Sequence, residues 1–420
     1  MQTHYDLNRY VDFSRIIDDN AYAAEKHLTV KKQKSVENSE SNTLFLIQYI
    51  KHKLNYSNIT SLGQFRSVIT DGTKIISFAP PKSVELDTLI KQSNWAWDNT
   101  NITEFCEGTM INLFYNTDRA DWEIATRGNI GARCKFYQYT PKTFRTMFLE
   151  AMTELNIEFT AFDKTKSYSF VLQHPDNRIV VPFKEKQLIL TNIYAFDEFT
   201  VYQMDGTFVQ QESKRLKCGY PRCINEVLNA PINSFDAIIN CFGSMSQDYR
   251  IVGAMLVDTT RGFRAKIRNP TYEYVRQLKG NSPKIQFQYY NLRKMGKVRE
   301  FLHYYPEMRV KFSEMREELH KWTNALFRNY TLCYIKKAAP LKDYPFPFRP
   351  HMYQLHQLYL NKLRVERAYV SRSVVIDYVN NLESPRLMFA INYFQNKNKV
   401  DCYATKVEAA ISKEPVQNSS

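Results

Sequence analysis

The hydrophobic pattern of this chain changes period near residue 285, and that change limits its possible architectures more than any other feature. Before that point apolar residues alternate with polar ones in short runs bounded by turn signals, the pattern of strands with one buried face. "FRSVITDGTKIISFAPP" places two arms around Asp71-Gly72, and "TMINLFYNTDRADWEIATRG" places two more around a polar loop. In the second pair Trp122, Ile124 and Thr126 face one way, with Glu123 and Arg127 on the other side. "SYSFVLQHPDNRIVVPF" predicts a third hairpin turning at Pro175-Asp176-Asn177, and "YRIVGAMLVD" with "FRAKIRNPTYEYV" predicts the last strands. One helix interrupts the hairpins: Thr140 caps it, Pro141 opens it, and Phe144, Met147, Phe148, Ala151, Met152 and Leu155 form its apolar stripe.

Beyond residue 285 apolar residues recur at helical spacing. "VREFLHYYPEMRVKFSEMREELHKWTNALFRNY" predicts helix, and "DYPFPFRP" a stiff connector. A further helix has Met352, Leu355, Tyr359 and Leu363 on one face, and Ser384-Pro385 caps "RLMFAINYF". The expected organisation is a helical and loop segment over 1–60, with residues 31–43 as a loop. A domain of hairpins follows over 61–285, then an all-helical domain over 290–410 and a frayed tail over 411–420. The fold class is α+β, antiparallel sheets of hairpins with helices, followed by an all-helical C-terminal domain.

Composition narrows function by exclusion. Fifty-seven Lys+Arg against 43 Asp+Glu leave +14, which suggests a polyanionic partner. Seven cysteines at irregular spacings argue for reduced thiols; Cys218 and Cys223 lack the second pair that would complete a zinc site. His351 and His356, five apart, read as packing residues rather than ligands, so no metal cage is expected. The polar start "MQTHYDLNRY" is not a secretion signal, and no apolar run approaches the ~20 residues needed to cross a bilayer. An intracellular protein with no membrane partner is therefore expected. No G-x-x-x-x-G-K-[ST] phosphate loop is present, and Ser67 and Ser83 lack a nucleophile-elbow context. Asp163 and Glu158 have no partner carboxylate at a useful spacing. Trp95, Trp97, Tyr115 and Tyr168 could stack on bases, although aromatic residues in strands are more often core.

The basic and glycine positions form an ordered series. Arg66 opens one hairpin and Lys82 follows its second arm in "APPKS". Glu107-Gly108-Thr109 opens a strand in "EFCEGTMI", Arg127-Gly128 ends its partner, and Arg178 lies after the third turn. Lys266 and Arg268 alternate on the last strand, pointing to one face, where two cations repel unless an anion lies over them.

That order, over "FRSVI", "PPKS", "FCEGT", "TRG", "FVLQHPDNRIV", "VGAML" and "AKIRNPTY", resembles the RNA ligases of the lysine-nucleotidyltransferase superfamily. It is most similar to the phage-type RNA ligase 1 group and to ligase-like proteins of large eukaryotic DNA viruses. The resemblance covers residues 60–275 and implies a nucleotidyltransferase fold, a C-terminal helical region that helps select RNA, and RNA as partner. For a viral protein it implies a place in the host cytoplasm, at a viral factory, or in the virion. It implies a nucleotide- and phosphate-binding set of Arg66, Lys82, Glu107, Gly108, Arg127, Lys266 and Arg268. If the chain is active, it implies ATP and Mg²⁺ as cofactors.

The chain departs from the family in the other half of the chemistry. Phe105 stands where the resemblance places the lysine that attacks the α-phosphate of ATP, and Val171 and Val252 stand where it places two metal-binding carboxylates. Phenylalanine forms no phosphoramide and valine holds no Mg²⁺. The expected function is an RNA ligase-like protein that binds RNA ends or a nucleotide but is catalytically degenerate. One alternative is an active ATP-dependent RNA ligase with a displaced nucleophile, Lys82 or Lys135; another is a structural virion or assembly protein.

Overall fold

The computed structural model describes residues 3–34, 43–87, 90, 95–137 and 140–394. The chain divides into two compact units, Met1–Gln277 and Leu278–Ser420.

The first unit holds three sheets. The largest has the order β1 (His4–Asp6), β13 (Thr200–Gln203), β12 (Gln187–Asp197), β11 (Lys166–Gln173), β8 (Thr109–Asn116), β9 (Asp121–Thr126) and β10 (Asn129–Ile130). A second has the order β6 (Val84–Glu85), β15 (Arg264–Arg268), β14 (Gly253–Asp258) and β7 (Thr100–Glu104), with β6 parallel to β15. A third comprises β2 (Leu28–Lys34), β3 (Thr43–Tyr49), β4 (Val68–Thr70) and β5 (Ile75–Phe78). Alternation along each strand decides its packing. Leu113, Phe170 and Leu190 pack with Met147, Phe148 and Ala151 of the helix Phe144–Glu154. Ser77, Ser167, Ser169 and Asn112 are fully buried and linked in pairs, with Ser77 Oγ 3.0 Å from Ser167 Oγ and Ser169 Oγ 2.8 Å from Asn112 Oδ1. The β6-β15-β14-β7 sheet packs Ala254, Leu256 and Ala265 against Ile224, Ile238 and Phe242.

The hairpins at Asp71-Gly72 and at 117–120 form as expected: β4 pairs with β5 and β8 with β9. Gly72 has φ +101°, and Asp71 Oδ1 accepts from the amides of Thr73 and Lys74. Four local expectations are corrected. The first sixty residues contribute β1, β2 and β3 besides short helices, and β3 pairs with β4, so they belong to the first unit. Residues 31–34 are strand, and the remainder of the expected loop lies mostly outside the described residues. The helix starts at Phe144, because Thr143 accepts from the Thr146 amide, whereas Thr140 Oγ1 reaches Asp176 O. The third hairpin does not turn at Pro175: β11 pairs with β12, and the amides of Val180 and Val181 go to the Glu107 carboxylate, not to a ladder.

The described part of the second unit, 278–394, holds helices and no strand. They include Ile285–Lys294, Val298–Tyr304, Arg309–Tyr330, Arg349–Leu358 and Arg372–Asn381. Pro306 separates the second from the third. Met352 and Leu355 are fully buried. Ser384 is the first residue of the last described helix, and its hydroxyl donates to Asn291 Oδ1 at 2.5 Å, so it makes a packing contact rather than the expected cap. The expected tail, 411–420, lies outside the described residues.

Candidate functional site

A cavity of about 350 Å³ lies between the seven-stranded sheet and the β6-β15-β14-β7 sheet. β8, β11, β12 and β13 give it Met110, Val171, Thr191, Asn192 and Gln203; β14 and β15 give Met255 and Arg264. Phe105 and Gly108 enter it from the turn between β7 and β8. That turn is fixed by close approach. Gly108 has φ +151°, and a Cβ there would stand 2.5 Å from the Leu172 carbonyl oxygen and 2.6 Å from Val171 Cγ1. The Phe105 amide donates to Gly253 O at 2.9 Å, tying the turn to the opposite sheet.

Of the expected cations, Arg66 lines this cavity. Its Nη1 donates to Pro80 O at 3.3 Å, as Arg264 Nη1 does to Pro81 O at 2.9 Å, so two guanidinium groups, one before β4 and one on β15, hold the Pro80-Pro81 segment. Burial pushes the Arg66 guanidinium down to about 10, with Arg264 and Arg127 contributing repulsion. It is still charged at neutral pH. Arg127 lies with its guanidinium 5.9 Å from the Tyr49 ring, and Gln48 Nε2 donates to Arg127 O at 2.5 Å and to Arg66 O at 3.4 Å. Burial pushes the Lys82 amine down to about 8, with Lys266 and Arg66 adding repulsion and Glu85 opposing it. Lys82 Nζ makes no hydrogen bond or ion pair among the described residues. Lys266 pairs with Glu85, and Arg268 pairs with Glu273 while its guanidinium sits 5.4 Å from the centre of the Phe105 ring. The five cations of the series thus form one electrostatically connected group, and Arg264 extends it.

The remaining expected residues do different things. Glu107 is buried and its Oε1 accepts from the Val180 and Val181 amides at 2.9 and 3.0 Å; burial and the nearby Glu107 carboxylate push the Tyr272 phenol up. It clamps the 178–181 segment. Arg178 Nε donates to Val180 O within the same segment. Val252 lines a second cavity, about 370 Å³, on the other side of Phe105. Val171 and Val252 therefore do not face one space. Lys135 is exposed and donates to Thr140 O, away from the cavity. Trp95 and Tyr168 are core; Trp97 and Tyr115 pack edge-on against Phe235 and Trp122. His351 bonds Tyr378, and burial pushes it down to about 4; His356 stacks on Tyr334.

Arg264, Glu85, Glu273 and Gln48 escaped the sequence reading. Arg264 carried a signal, since it continues the alternation of Lys266 and Arg268 on β15. Glu85 did not, because it lies 181 residues before Lys266, and Glu273, only five residues after Arg268, meets it because the chain turns from β15 directly into the next helix.

The donor set fits an anionic ligand and does not fit a metal. Buried polar atoms without a partner among the described residues include the Tyr194 hydroxyl, Asn112 Nδ2 and Arg268 Nε. Tyr194 lies close enough to Arg66 and Arg264 to feel their charge. The carboxylates lining the cavity are already engaged: Glu104 by Arg222, Asp258 by Arg261 and Asp205 by the Phe208 amide. Among the described residues no group of three His, Cys, Asp or Glu could hold a metal ion. No described helix is long and apolar enough to cross a membrane.

Comparison with known proteins leads in the same direction as the motif series. No family model matches. Over 204 residues the chain is 22% identical to an RNA ligase of Rhodothermus phage RM378, covering 42% of this chain and 46% of that protein. Over that span the chain is similar to this phage RNA ligase. It spans about half the length of this curated relative. Solved structures with some likeness include an archaeal ATP-dependent RNA ligase (13% identity, 70% of this chain and 77% of that one, TM-score 0.38). Another is the Naegleria gruberi RNA ligase with pyrophosphate (10% identity, 59% and 98%, TM-score 0.32). Scores this low fix no residue correspondence between those ligases and this chain.

Proposed function

We propose that the protein binds a nucleotide or a phosphorylated RNA end in the cavity between its two sheets without forming a covalent intermediate. Phe105 carries this reading: an aromatic ring stands at the turn that the motif order assigns to the nucleophile, beneath Arg268, while Arg66 and Arg264 line the cavity that the ring enters. A nucleoside would occupy the cavity. Its phosphates would meet Lys82, Lys266 and Arg268, whose charges do not depend on the missing nucleophile. The test is wild-type protein incubated with radiolabelled ATP and Mg²⁺ or Mn²⁺, resolved under denaturing conditions, beside equilibrium dialysis of the same ATP. Retention in dialysis with no labelled band is expected. Retention of neither ATP nor 5′-phosphorylated RNA would leave a structural virion or assembly role instead.

One observation favours a second reading. Lys82 has an amine pushed down to about 8 and free of ion pairs among the described residues, which is what a nucleophilic lysine requires. An acid-labile labelled band that disappears in Lys82→Ala would make the protein an active RNA ligase with a displaced nucleophile.

The pairing of Lys266 with Glu85 supplies a further check. Glu85 occupies the charge that a phosphate would otherwise meet. Glu85→Gln is expected to tighten pyrophosphate binding roughly fivefold or more, read by isothermal titration, because the competing carboxylate is removed. Unchanged affinity would place the phosphate site away from Lys266.

A further inference from the structure

The last described helix, 384–394, is apolar on more than one side. Leu387 and Ala390 are buried, and Asn392 exchanges two hydrogen bonds with Gln286, at 2.7 and 3.1 Å, so the rotation of the helix is fixed. Phe389 and Tyr393, four residues apart, share the side left over. Phe389 is 57% exposed, and Phe394 at the end of the helix is 49% exposed. A helix apolar on two sides is normally covered on both.

A second element brings another ring to that side. Phe346 lies 5.4 Å from Tyr393 between ring centres, as Phe394 does, and Phe389 lies 5.8 Å away, so Tyr393 is the centre of a patch of four rings. Phe346 is 52% exposed, and the backbone holds it there. Pro345 and Pro347 flank it, the Phe348 amide donates to Pro345 O at 3.0 Å, and the Arg349 amide donates to Phe346 O at 3.2 Å. Phe348 is turned the other way, buried and stacked on Trp322. Three phenylalanines at about half exposure leave roughly 300 Å² of ring surface in water. Contiguous apolar surface of this kind marks a place where something docks.

The sequence beyond Phe394 supplies what this face lacks. Residues 400–411 lie outside the described residues. Their sequence places Val400, Tyr403, Ala404, Val407, Ala410 and Ile411 at the spacing of one helical stripe, with Asp401, Thr405, Lys406 and Glu408 off it. The five polar residues "QNKNK" join Phe394 to Val400, within the roughly 2–8 residues usual between neighbouring helices. As a helix, 400–411 would span about 18 Å, against about 17 Å for 384–394. An antiparallel return also brings Glu408 opposite Arg386, which is exposed.

We propose that residues 400–411 fold back along the last described helix and cover the face formed by Phe346, Phe389, Tyr393 and Phe394 with their apolar stripe. A segment tethered this closely is present at an effective concentration of about millimolar, well above that of a free partner. A second copy of the chain fits less well, because the patch is far smaller than the ~800 Å² per partner of a stable dimer.

Hydrogen exchange on the full chain tests the docking. The amides of 400–411 are expected to exchange roughly tenfold or more slower than those of the free peptide 395–415. Phe346→Ser with Phe389→Ser is expected to abolish that protection while the amides of the helix Arg309–Tyr330 stay as slow as in wild type. If thermal melts show that this variant fails to fold, Val407→Asp with Ile411→Asp replaces it. That variant is expected to bind several-fold more of an apolar dye than wild type, and added peptide 395–415 is expected to reverse the rise. Unprotected amides in the wild type, protection that survives Phe346→Ser with Phe389→Ser, or dye binding unchanged in Val407→Asp with Ile411→Asp overturns the proposal. So does a dimer in sedimentation that the phenylalanine variant separates and the Val407→Asp with Ile411→Asp variant does not, since a second copy then covers the face.

Discussion

Glu107→Ala is expected to lower the unfolding free energy by about 3 kcal/mol, measured from urea denaturation midpoints at constant slope. The buried carboxylate accepts two amides, from Val180 and Val181, through one oxygen. Hydrogen bonds to a charged group contribute about 1.5–3 kcal/mol each, and truncation leaves two amides in a site that water reaches poorly. Glu107→Gln keeps an acceptor oxygen for both amides and is expected to cost about 1 kcal/mol. The two variants separate the clamp from any direct contact with ligand. If Glu107→Ala melts like the wild type yet fails to retain ATP, the carboxylate acts on the ligand and the clamp is incidental.

Glu107 also shows how far the sequence could be read. The spacing of "EFCEGTMI" revealed a special turn before a strand, and the turn is there, with Gly108 in a conformation and at an approach distance that exclude a Cβ. What the carboxylate does was hidden, because its partners lie 73 and 74 residues away. The error in the third hairpin has the same origin. "RIVVP" has strand composition, but its amides found a carboxylate before they found a strand, and β12 beyond it took the ladder with β11. Local pattern located the alternating strands, the change to helices and the cations of β15. It could not show that β6 supplies Glu85 to Lys266 by lying parallel to β15, since a two-residue edge strand has no periodicity to detect.

The carboxylate pairing changes what the cation series means. Lys266 and Arg268 need no phosphate to relieve their mutual repulsion, because Glu85 and Glu273 already do so. A phosphate that reaches Lys266 or Arg268 must compete with those carboxylates. Lys82 has no such partner, so it has the most to gain from an incoming anion.

Lys82→Met is therefore expected to stabilise the protein by about 1–3 kcal/mol at pH 7 and to abolish most nucleotide retention. The amine is pushed down from its ordinary 10.5 to about 8, first by burial and then by Lys266 and Arg66. Below about 8 both the folded and the unfolded chain hold the proton, and the crowded charge weighs fully on the folded state. Between about 8 and 10.5 the unfolded chain holds more of that proton than the folded one, so stability rises with pH and the penalty fades. Methionine keeps the unbranched stem and removes the charge, so the gain over wild type should be largest at pH 7 and shrink steadily towards pH 10. Urea denaturation of both proteins across that range measures it. Bound phosphate should shrink the difference at pH 7, because it stabilises the wild type by mass action and finds less to hold in the variant. A destabilised Lys82→Met, or a gain that does not change with pH, would mean that the amine is already compensated, and Lys82 would then be neither phosphate anchor nor nucleophile.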